Sequence, residues 1–200
     1  MTSLEAKNII LETYNYTTQQ SAGYQTWGKV DILQIAVRIN QKEYAFSKDC
    51  KNLKSITEND IIISNDKTNL FGKLFHNKKK IEVILITKQT YAAQVKEEIP
   101  PILDDQAQLL GVSIRIAKNE NNLSTALCSR YAAIFGDGRS ICVGTNLEDA
   151  YVAAQLLEKT SKAFVEAKVL GGAKSINKIE AWLMQQFYQL KYSKEAKKNK

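Results

Sequence analysis

Side chains that could bind a metal ion or transfer a proton near neutral pH are scarce in this chain of 200 residues. It has one histidine, His76, and three cysteines, Cys50, Cys128 and Cys142. The cysteine spacings fit neither a disulfide framework nor a CxxC metal site, and one imidazole cannot form a three-histidine site. We therefore expect His76 to be a surface or structural residue and the cysteines to be buried and reduced.

The composition predicts one soluble domain. With 44% apolar residues, the chain can build one sizeable core but has too few residues for a second domain of ordinary size. No uninterrupted apolar run approaches the roughly 20 residues of a membrane-spanning helix, and the opening MTSLEAKNII places an acid where a signal peptide is basic. We expect a cytoplasmic protein with a single domain over residues 1–190 and a basic, flexible tail over 191–200.

The positive charge is concentrated rather than spread over the chain. The formal net charge is +7, and much of it lies in Lys78-Lys79-Lys80 and in the tail KYSKEAKKNK. Such clusters can bind nucleic acid or an acidic partner. Because interleaved aromatic residues and a glycine-aromatic RNA-binding motif are both absent from the sequence, nucleic-acid binding is the weaker alternative.

Hydrophobic periodicity predicts strands and helices that follow one another along most of the chain. Alternating or continuous apolar residues predict strands at 31–39, 43–47, 61–63, 82–86, 113–117, 132–135 and 140–143. Helical patterns cover 3–14, 69–76, 91–98, 102–110, 123–129, 147–170 and 176–190, and a polar loop is expected over 15–29. Ile61-Ile62-Ile63 has the composition of a strand buried on both faces. This order indicates an α/β sheet covered by helices.

The last two helices have the clearest boundaries. Thr145-Asn146-Leu147-Glu148 fits a capping box, and Gly171-Gly172 is expected to end the helix. The final helix places its large apolar side chains on one side: Ile179, Trp182, Leu183, Phe187 and Leu190. We expect that side to pack on the chain's own domain, with use as an interface the alternative.

Two segments resemble a known family. Glu98 to Gly111 reads EIPPILDDQAQLLG, and Leu147 to Gly172 reads LEDAYVAAQLLEKTSKAFVEAKVLGG. Together they resemble the class II aldolase/adducin family, and the likeness extends over most of the chain. The resemblance implies a class II aldolase-like fold, with a mainly antiparallel or mixed central sheet covered by helices on both sides and with C-terminal helices.

The resemblance also identifies where the family's metal ligands would lie. Its enzymes hold a divalent metal, usually zinc, with a His-x-His pair before Pro-Pro-Tyr-Ala and a third histidine in an Asn-His-Gly turn. Alternate residues of a strand share a face, so such a pair can chelate. Anchored on Tyr91-Ala92, these positions fall on Ile86, Lys88 and Asp137, so no ligand histidine remains. We expect Lys88 and Asp137 to form an ion pair there.

Other functional elements of the family lack counterparts too. The family's acid/base carboxylate falls on Thr68, which has no pKa suited to proton transfer near neutrality. Ser47-Lys48-Asp49-Cys50 replaces a Thr-Pro-Ser-Gly-like turn that binds phosphate in sugar-phosphate aldolases. The expected vestigial pocket consists of Thr68, Ile86, Lys88, Tyr91 and Asp137, without a metal or cofactor.

These replacements favour a catalytically inactive aldolase-like protein with a structural, assembly or partner-binding role. The family includes the non-enzymatic head domain of adducin and enzymes that form ring-like tetramers, so a homo-oligomer is expected, a tetramer first and a dimer second. One alternative is a metal-independent lyase in which Lys88 forms a Schiff base and Asp137, Tyr91 or Asp49 moves protons. A second is a basic adaptor for nucleic acid or an acidic partner.

Overall fold

The computed structural model describes residues 1–20, 30–49 and 56–198, without the side chains of 15–20 and 192–198. The helices are α1 (Ser3–Gln20), α2 (Leu70–Asn77), α3 (Leu123–Ala126), α4 (Leu147–Val169) and α5 (Lys178–Lys198). The strands are β1 (Val30–Arg38), β2 (Tyr44–Ser47), β3 (Ile61–Ser64), β4 (Val83–Gln89), β5 (Arg115–Ala117), β6 (Ala132–Phe135) and β7 (Arg139–Gly144). No helix in these described ranges is both long and apolar enough to cross a membrane.

The described strands form one sheet in the order β3-β2-β1-β4-β7-β6-β5. Neighbouring strands are antiparallel except β5 and β6, which run parallel. Strand β4 lies in the middle, so both of its edges are paired with neighbouring strands. The predicted mainly antiparallel α/β sheet is confirmed.

Two layers of apolar side chains cover the two faces of the sheet. Leu85 of β4 belongs to the layer that includes residues of α1 and α4. Its neighbours Ile84 and Ile86 belong to the layer that includes residues of α2 and α3. Because successive side chains of a strand point to opposite faces, one apolar run supplies both layers. Helices therefore cover the sheet on both sides, as predicted.

The segment after β4 does not form the helix predicted over 91–98. Only a short 3₁₀ turn, Ala92–Gln94, is present, and Ile99 then pairs with Ile114 in an isolated antiparallel bridge. The residue before a proline is restricted to extended backbone, which suits Ile99 ahead of Pro100. The helix predicted over 102–110 is likewise reduced to a π-helical turn, Gln106–Leu110.

The boundaries of other elements also differ from prediction. Helix α1 continues through Gln20, so the loop predicted from residue 15 begins later. Strand β3 is at the end of the strand order, and Ile62 and Ile63 are exposed, so the prediction of a strand buried on both faces is wrong. The N-cap of α4 is Asn146 rather than Thr145, since the Asn146 side chain accepts a hydrogen bond from the Asp149 N–H at 2.8 Å.

Helix α5 differs from prediction in length and in orientation. It extends past Leu190 to Lys198. Its large apolar side chains lie outside the core: Ile179, Trp182, Leu183, Phe187 and Leu190 are 42–70% exposed. The inward side instead carries Ala181, which is fully buried, and Gln185, whose amide donates to the Ser129 carbonyl at 3.1 Å.

Candidate functional site

Two of the positions that the resemblance assigns to metal ligands lie on one face of β4 in different surroundings. Ile86 and Lys88 are alternate residues of the strand. Ile86 is 1% exposed and packs among the apolar residues between the sheet and α2. Lys88, two residues on, is exposed. The face therefore changes from closed core to solvent within one repeat of the strand.

Charged residues of the neighbouring strands lie beside Lys88. Asp31 of β1 and Arg139 of β7 are its direct cross-strand partners. Directly opposed residues of an antiparallel pair point to the same face. Lys88 is thus flanked by one carboxylate and one guanidinium at the edge of the core.

The expected Lys88–Asp137 ion pair is wrong. Asp137 is in the turn between β6 and β7, and its Oδ2 accepts from Nε of Arg139 at 2.8 Å while its Oδ1 accepts from the Arg139 backbone N–H at 3.0 Å. Arg139 is two residues away, at the start of β7, so this contact needs no approach between separate strands. The guanidinium also lies 5.3 Å from the centre of the Phe135 ring, which holds it on the hairpin.

The electrostatics of Asp137 follow from this contact. Partial burial raises the pKa of Asp137, but the hydrogen bonds from Arg139 and its positive charge outweigh burial and lower the pKa below its ordinary value. Asp137 is therefore a carboxylate already committed to a cation of its own hairpin.

A buried carboxylate that the sequence analysis did not identify holds the turn after Lys88. Glu158 of α4 is fully buried, and its oxygens accept from the backbone N–H groups of Tyr91 at 2.9 Å and Ala92 at 3.0 Å. Burial raises the pKa of Glu158 even though these hydrogen bonds favour the charged form. One feature of the sequence could have identified it. Glu158 is an acidic residue on the side of α4 that otherwise carries Ala154, Leu157 and Ser161.

The turn that holds Asp137 and the turn that follows Tyr91 are in contact. Gly138 has a φ of +87°, and a Cβ at this position would lie 3.3 Å from the Ala93 carbonyl oxygen. Glycine therefore permits both the turn conformation and the close approach. Lys162 of α4 lies 5.6 Å from the centre of the Tyr91 ring. The ends of β4 and β7 thus form one assembled surface.

Thr68 lies in the loop before α2. It is exposed, and its hydroxyl donates to Oδ1 of Asp66 within the same loop at 2.7 Å. Asn69, not Thr68, caps α2 by accepting from the Gly72 N–H. Thr68 therefore has a local structural partner.

The remaining candidates are placed separately. His76 is exposed at the end of α2. Cys142 is buried and free, as expected, whereas Cys128 is free but exposed, so its expected burial is wrong. Cys50 is outside the described residues. In the lysine cluster, Lys78 is half-buried and donates to the Arg130 carbonyl at 3.3 Å, and burial lowers its pKa.

The residues at the positions that the resemblance assigns to metal ligands do not fit a zinc ion. Ile86 has no donor atom, and the ammonium of Lys88 is itself a cation. Asp137 supplies a carboxylate, but that carboxylate is paired with Arg139. Across the parts of the chain that the structure describes, no three His, Cys, Asp or Glu residues are grouped to hold a metal. Zinc sites in proteins use three or four such ligands.

Comparison with known proteins places the fold. No protein-family model and no curated protein matches the sequence. Among solved structures, an L-fuculose 1-phosphate aldolase superposes with a TM-score of 0.80 at 17% identity, over 94% of this chain and 98% of that one. This chain has the class II aldolase fold.

Two further structures support the same fold. The L-fuculose 1-phosphate aldolase from Glaciozyma antarctica PI12 has a TM-score of 0.66 at 14% identity, over 90% of this chain and 80% of that one. An aldolase II superfamily protein from Pseudomonas syringae has a TM-score of 0.62 at 11% identity, over 92% of this chain and 84% of that one. At such identities the likeness concerns the class II aldolase fold, and the activities in these names belong to those proteins.

Proposed function

We propose that this chain is a class II aldolase-fold protein without metal-dependent aldolase activity, and that it acts in assembly or partner binding. The observation that carries the proposal is the exposed apolar side of α5. A helix ordinarily buries its apolar side against its own domain, and an exposed row of large apolar residues marks an interaction surface. The proposal includes a homo-oligomer, with a tetramer expected first and a dimer second.

The residues at the ends of β4 and β7 support the first part of this proposal, the absence of metal-dependent aldolase activity. Metal-dependent aldol cleavage needs a dication to polarise the carbonyl and to stabilise the enediolate. The three positions that would hold such an ion are occupied by other groups. They are the buried side chain of Ile86, the exposed ammonium of Lys88 and the carboxylate of Asp137, which is bound to Arg139. The carboxylate position before α2 holds Thr68, which cannot serve as a base near neutral pH.

The test combines metal content, solution mass and activity of the purified native protein. We expect no stoichiometric zinc, a defined oligomer by light scattering, and no cleavage of phosphorylated ketoses above the buffer rate. Stoichiometric zinc together with chelator-sensitive retro-aldol cleavage would overturn the proposal. A metal-free monomer that binds no protein partner would also overturn it.

A second candidate is a metal-independent carbonyl-acting lyase that uses Lys88. What favours it is Arg139 directly across from Lys88, since a neighbouring cation is one way to activate a lysine amine. Against it stands the exposure of Lys88, because such lysines are usually desolvated. Borohydride in the presence of a carbonyl substrate would trap an adduct in the wild type but not in Lys88→Met, and Lys162→Met is the matched control. The leading proposal expects no adduct in any of the three proteins.

A further inference from the structure

The exposed apolar residues of α5 form a stripe along one side of the helix. At about 100° per residue, Ile179, Trp182, Leu183, Phe187 and Leu190 fall within roughly 140° of the helix circumference. All five are among the exposed large apolar residues. The stripe therefore follows three turns of one helix and is wide enough to pack against another helix.

The inward contacts of α5 fix the direction in which this stripe points. Ala181 is fully buried, and Gln185 is 2% exposed. The Gln185 amide donates to the Ser129 carbonyl at 3.1 Å. Both residues lie on the side of the helix roughly opposite the stripe. Rotation of α5 to bury the stripe would break this hydrogen bond and expose the residues that now touch the domain.

Opposite charges stand at the two ends of the stripe, on the same flank. Glu180 and Lys191 are both exposed. Eleven residues apart, they differ by roughly 20° around the helix axis and by about 16 Å along it. That distance is too long for a direct ion pair within one chain.

We propose that the α5 stripe binds the α5 stripe of a second copy of this chain, with the two helices antiparallel. A two-fold axis perpendicular to both helices brings the same flank of each copy together. Glu180 of one copy then faces Lys191 of the other, at both ends of the contact. A parallel pair would bring opposite flanks together and would leave both charges without this partner.

The same alignment gives complementary apolar contacts. Centring the two helices near the middle of the stripe places Phe187 of one copy near Leu183 of the other, since both lie toward the same flank as Glu180. Ile179 then lies near Leu190 of the other copy. Apolar side chains in the centre and charged residues at the rim are the usual arrangement of a stable protein interface.

The inference rests on the proposed function and names its partner. The contact is isologous, so by itself it closes at two copies, and a tetramer would need a second surface. A zinc-loaded, active aldolase that still pairs through α5 would overturn the proposed function and leave this inference standing. A metal-free protein that pairs through another surface would overturn this inference and leave the proposed function standing.

Charge reversal on full-length protein tests the pairing. Glu180→Lys and Lys191→Glu each place like charges together at both ends of the pair, so each should raise the dimer dissociation constant by roughly tenfold or more in sedimentation velocity. The double variant with both changes should return to the wild-type value. Because the two residues are far apart within one chain, rescue requires contact between copies. The effect of each single reversal should shrink as salt is raised.

Two further variants separate a lost contact from a general change in charge or folding. Lys178→Glu makes the same charge change as Lys191→Glu but lies on the opposite flank of the stripe, away from the contact between Glu180 and Lys191, so it should leave the dissociation constant unchanged. Phe187→Ala should raise the constant by roughly thirtyfold. Because Phe187 is 69% exposed, that variant should keep the wild-type unfolding midpoint when both are monomeric.

Three results would overturn the inference. The wild type could remain monomeric throughout the concentration range. It could form an oligomer whose dissociation is unaffected by Phe187→Ala and by both single reversals. It could also stay monomeric and bind phosphatidylserine-containing vesicles in a way that Phe187→Ala abolishes, which would assign the stripe to a lipid surface.

Discussion

Glu158 of α4 accepts a hydrogen bond from the backbone N–H of Tyr91 at 2.9 Å, which ties the helix to the turn that follows β4. Its other oxygen accepts from the Ala92 N–H at 3.0 Å. The free N–H groups at the start of the short 3₁₀ turn thereby find a partner inside the protein. The carboxylate positions the segment that runs from Lys88 to the contact with Gly138.

Replacing this carboxylate should destabilise the fold. Glu158→Gln keeps the size of the side chain but turns an amide N–H₂ toward backbone donors, and we expect the free energy of unfolding to fall by about 1–3 kcal/mol. Denaturant unfolding at neutral pH measures the change. Glu166→Gln, on the more exposed side of the same helix, is the matched control and should stay within about 0.5 kcal/mol of wild type. Equal stability of all three proteins would contradict the role of Glu158.

The difference in unfolding free energy between wild type and Glu158→Gln should change with pH in one direction. Burial raises the pKa of Glu158 above its ordinary value of 4.5, so the folded chain holds this proton to higher pH than the unfolded chain. The contribution of Glu158 to stability is therefore complete below pH 4.5 and declines as pH rises through the folded pKa. Unfolding free energies should be measured from pH 4 upward. The amount by which the wild-type value exceeds that of Glu158→Gln should decrease as the pH rises. A widening gap would show that the hydrogen bonds outweigh burial.

Ile86 and Lys88, neighbours on one face of β4, should respond very differently to truncation. Ile86→Ala leaves a cavity in a closed layer and should cost about 2–5 kcal/mol. Lys88→Ala, two residues along the same face, removes an exposed side chain and should cost less than about 0.5 kcal/mol. Thermal or denaturant unfolding of the two variants measures both costs. Similar losses would mean that Lys88 is part of the packed interior.

Local sequence patterns predicted the sheet well because strand identity depends on short-range periodicity. The alternation in β1 and the apolar run in β4 needed no knowledge of distant residues. The helix predicted at 91–98 failed because Val95 is extended and Ile99 pairs with Ile114, which is distant in sequence. A pattern that is read locally cannot include such a partner.

The site was less predictable because it depends on contacts that spacing does not reveal. Alignment placed Lys88 and Asp137 in one region, but the partner of Asp137 is Arg139, which the hairpin itself brings close. The apolar side of α5 was correctly read as a stripe. The direction in which the stripe points was not predicted, because buried Ala181 and the hydrogen bond of Gln185 decide which side of α5 faces inward.

The start of α4 can be tested by truncating its two candidate caps. Asn146→Ala removes the acceptor of the Asp149 N–H and should cost about 0.5–2 kcal/mol. Thr145→Ala removes an exposed hydroxyl that bonds the Asp149 side chain, and should cost less than about 0.5 kcal/mol. Asn146→Asp preserves the capping oxygen and should stay close to wild type. A larger loss from Thr145→Ala than from Asn146→Ala would restore the capping box predicted from the sequence.

The two described cysteines should differ sharply in their reaction with iodoacetamide. Cys128 is exposed, whereas Cys142 is fully buried and burial raises the pKa of its thiol. Alkylation requires the thiolate, so native protein should be modified at Cys128 and not at Cys142. Peptide mass spectrometry on a Cys50→Ser background measures each site over time, and modification in denaturant provides the control in which both react. Native-state modification of Cys142 at the rate of Cys128 would show that the layer between the sheet and α4 opens readily, contrary to its packing.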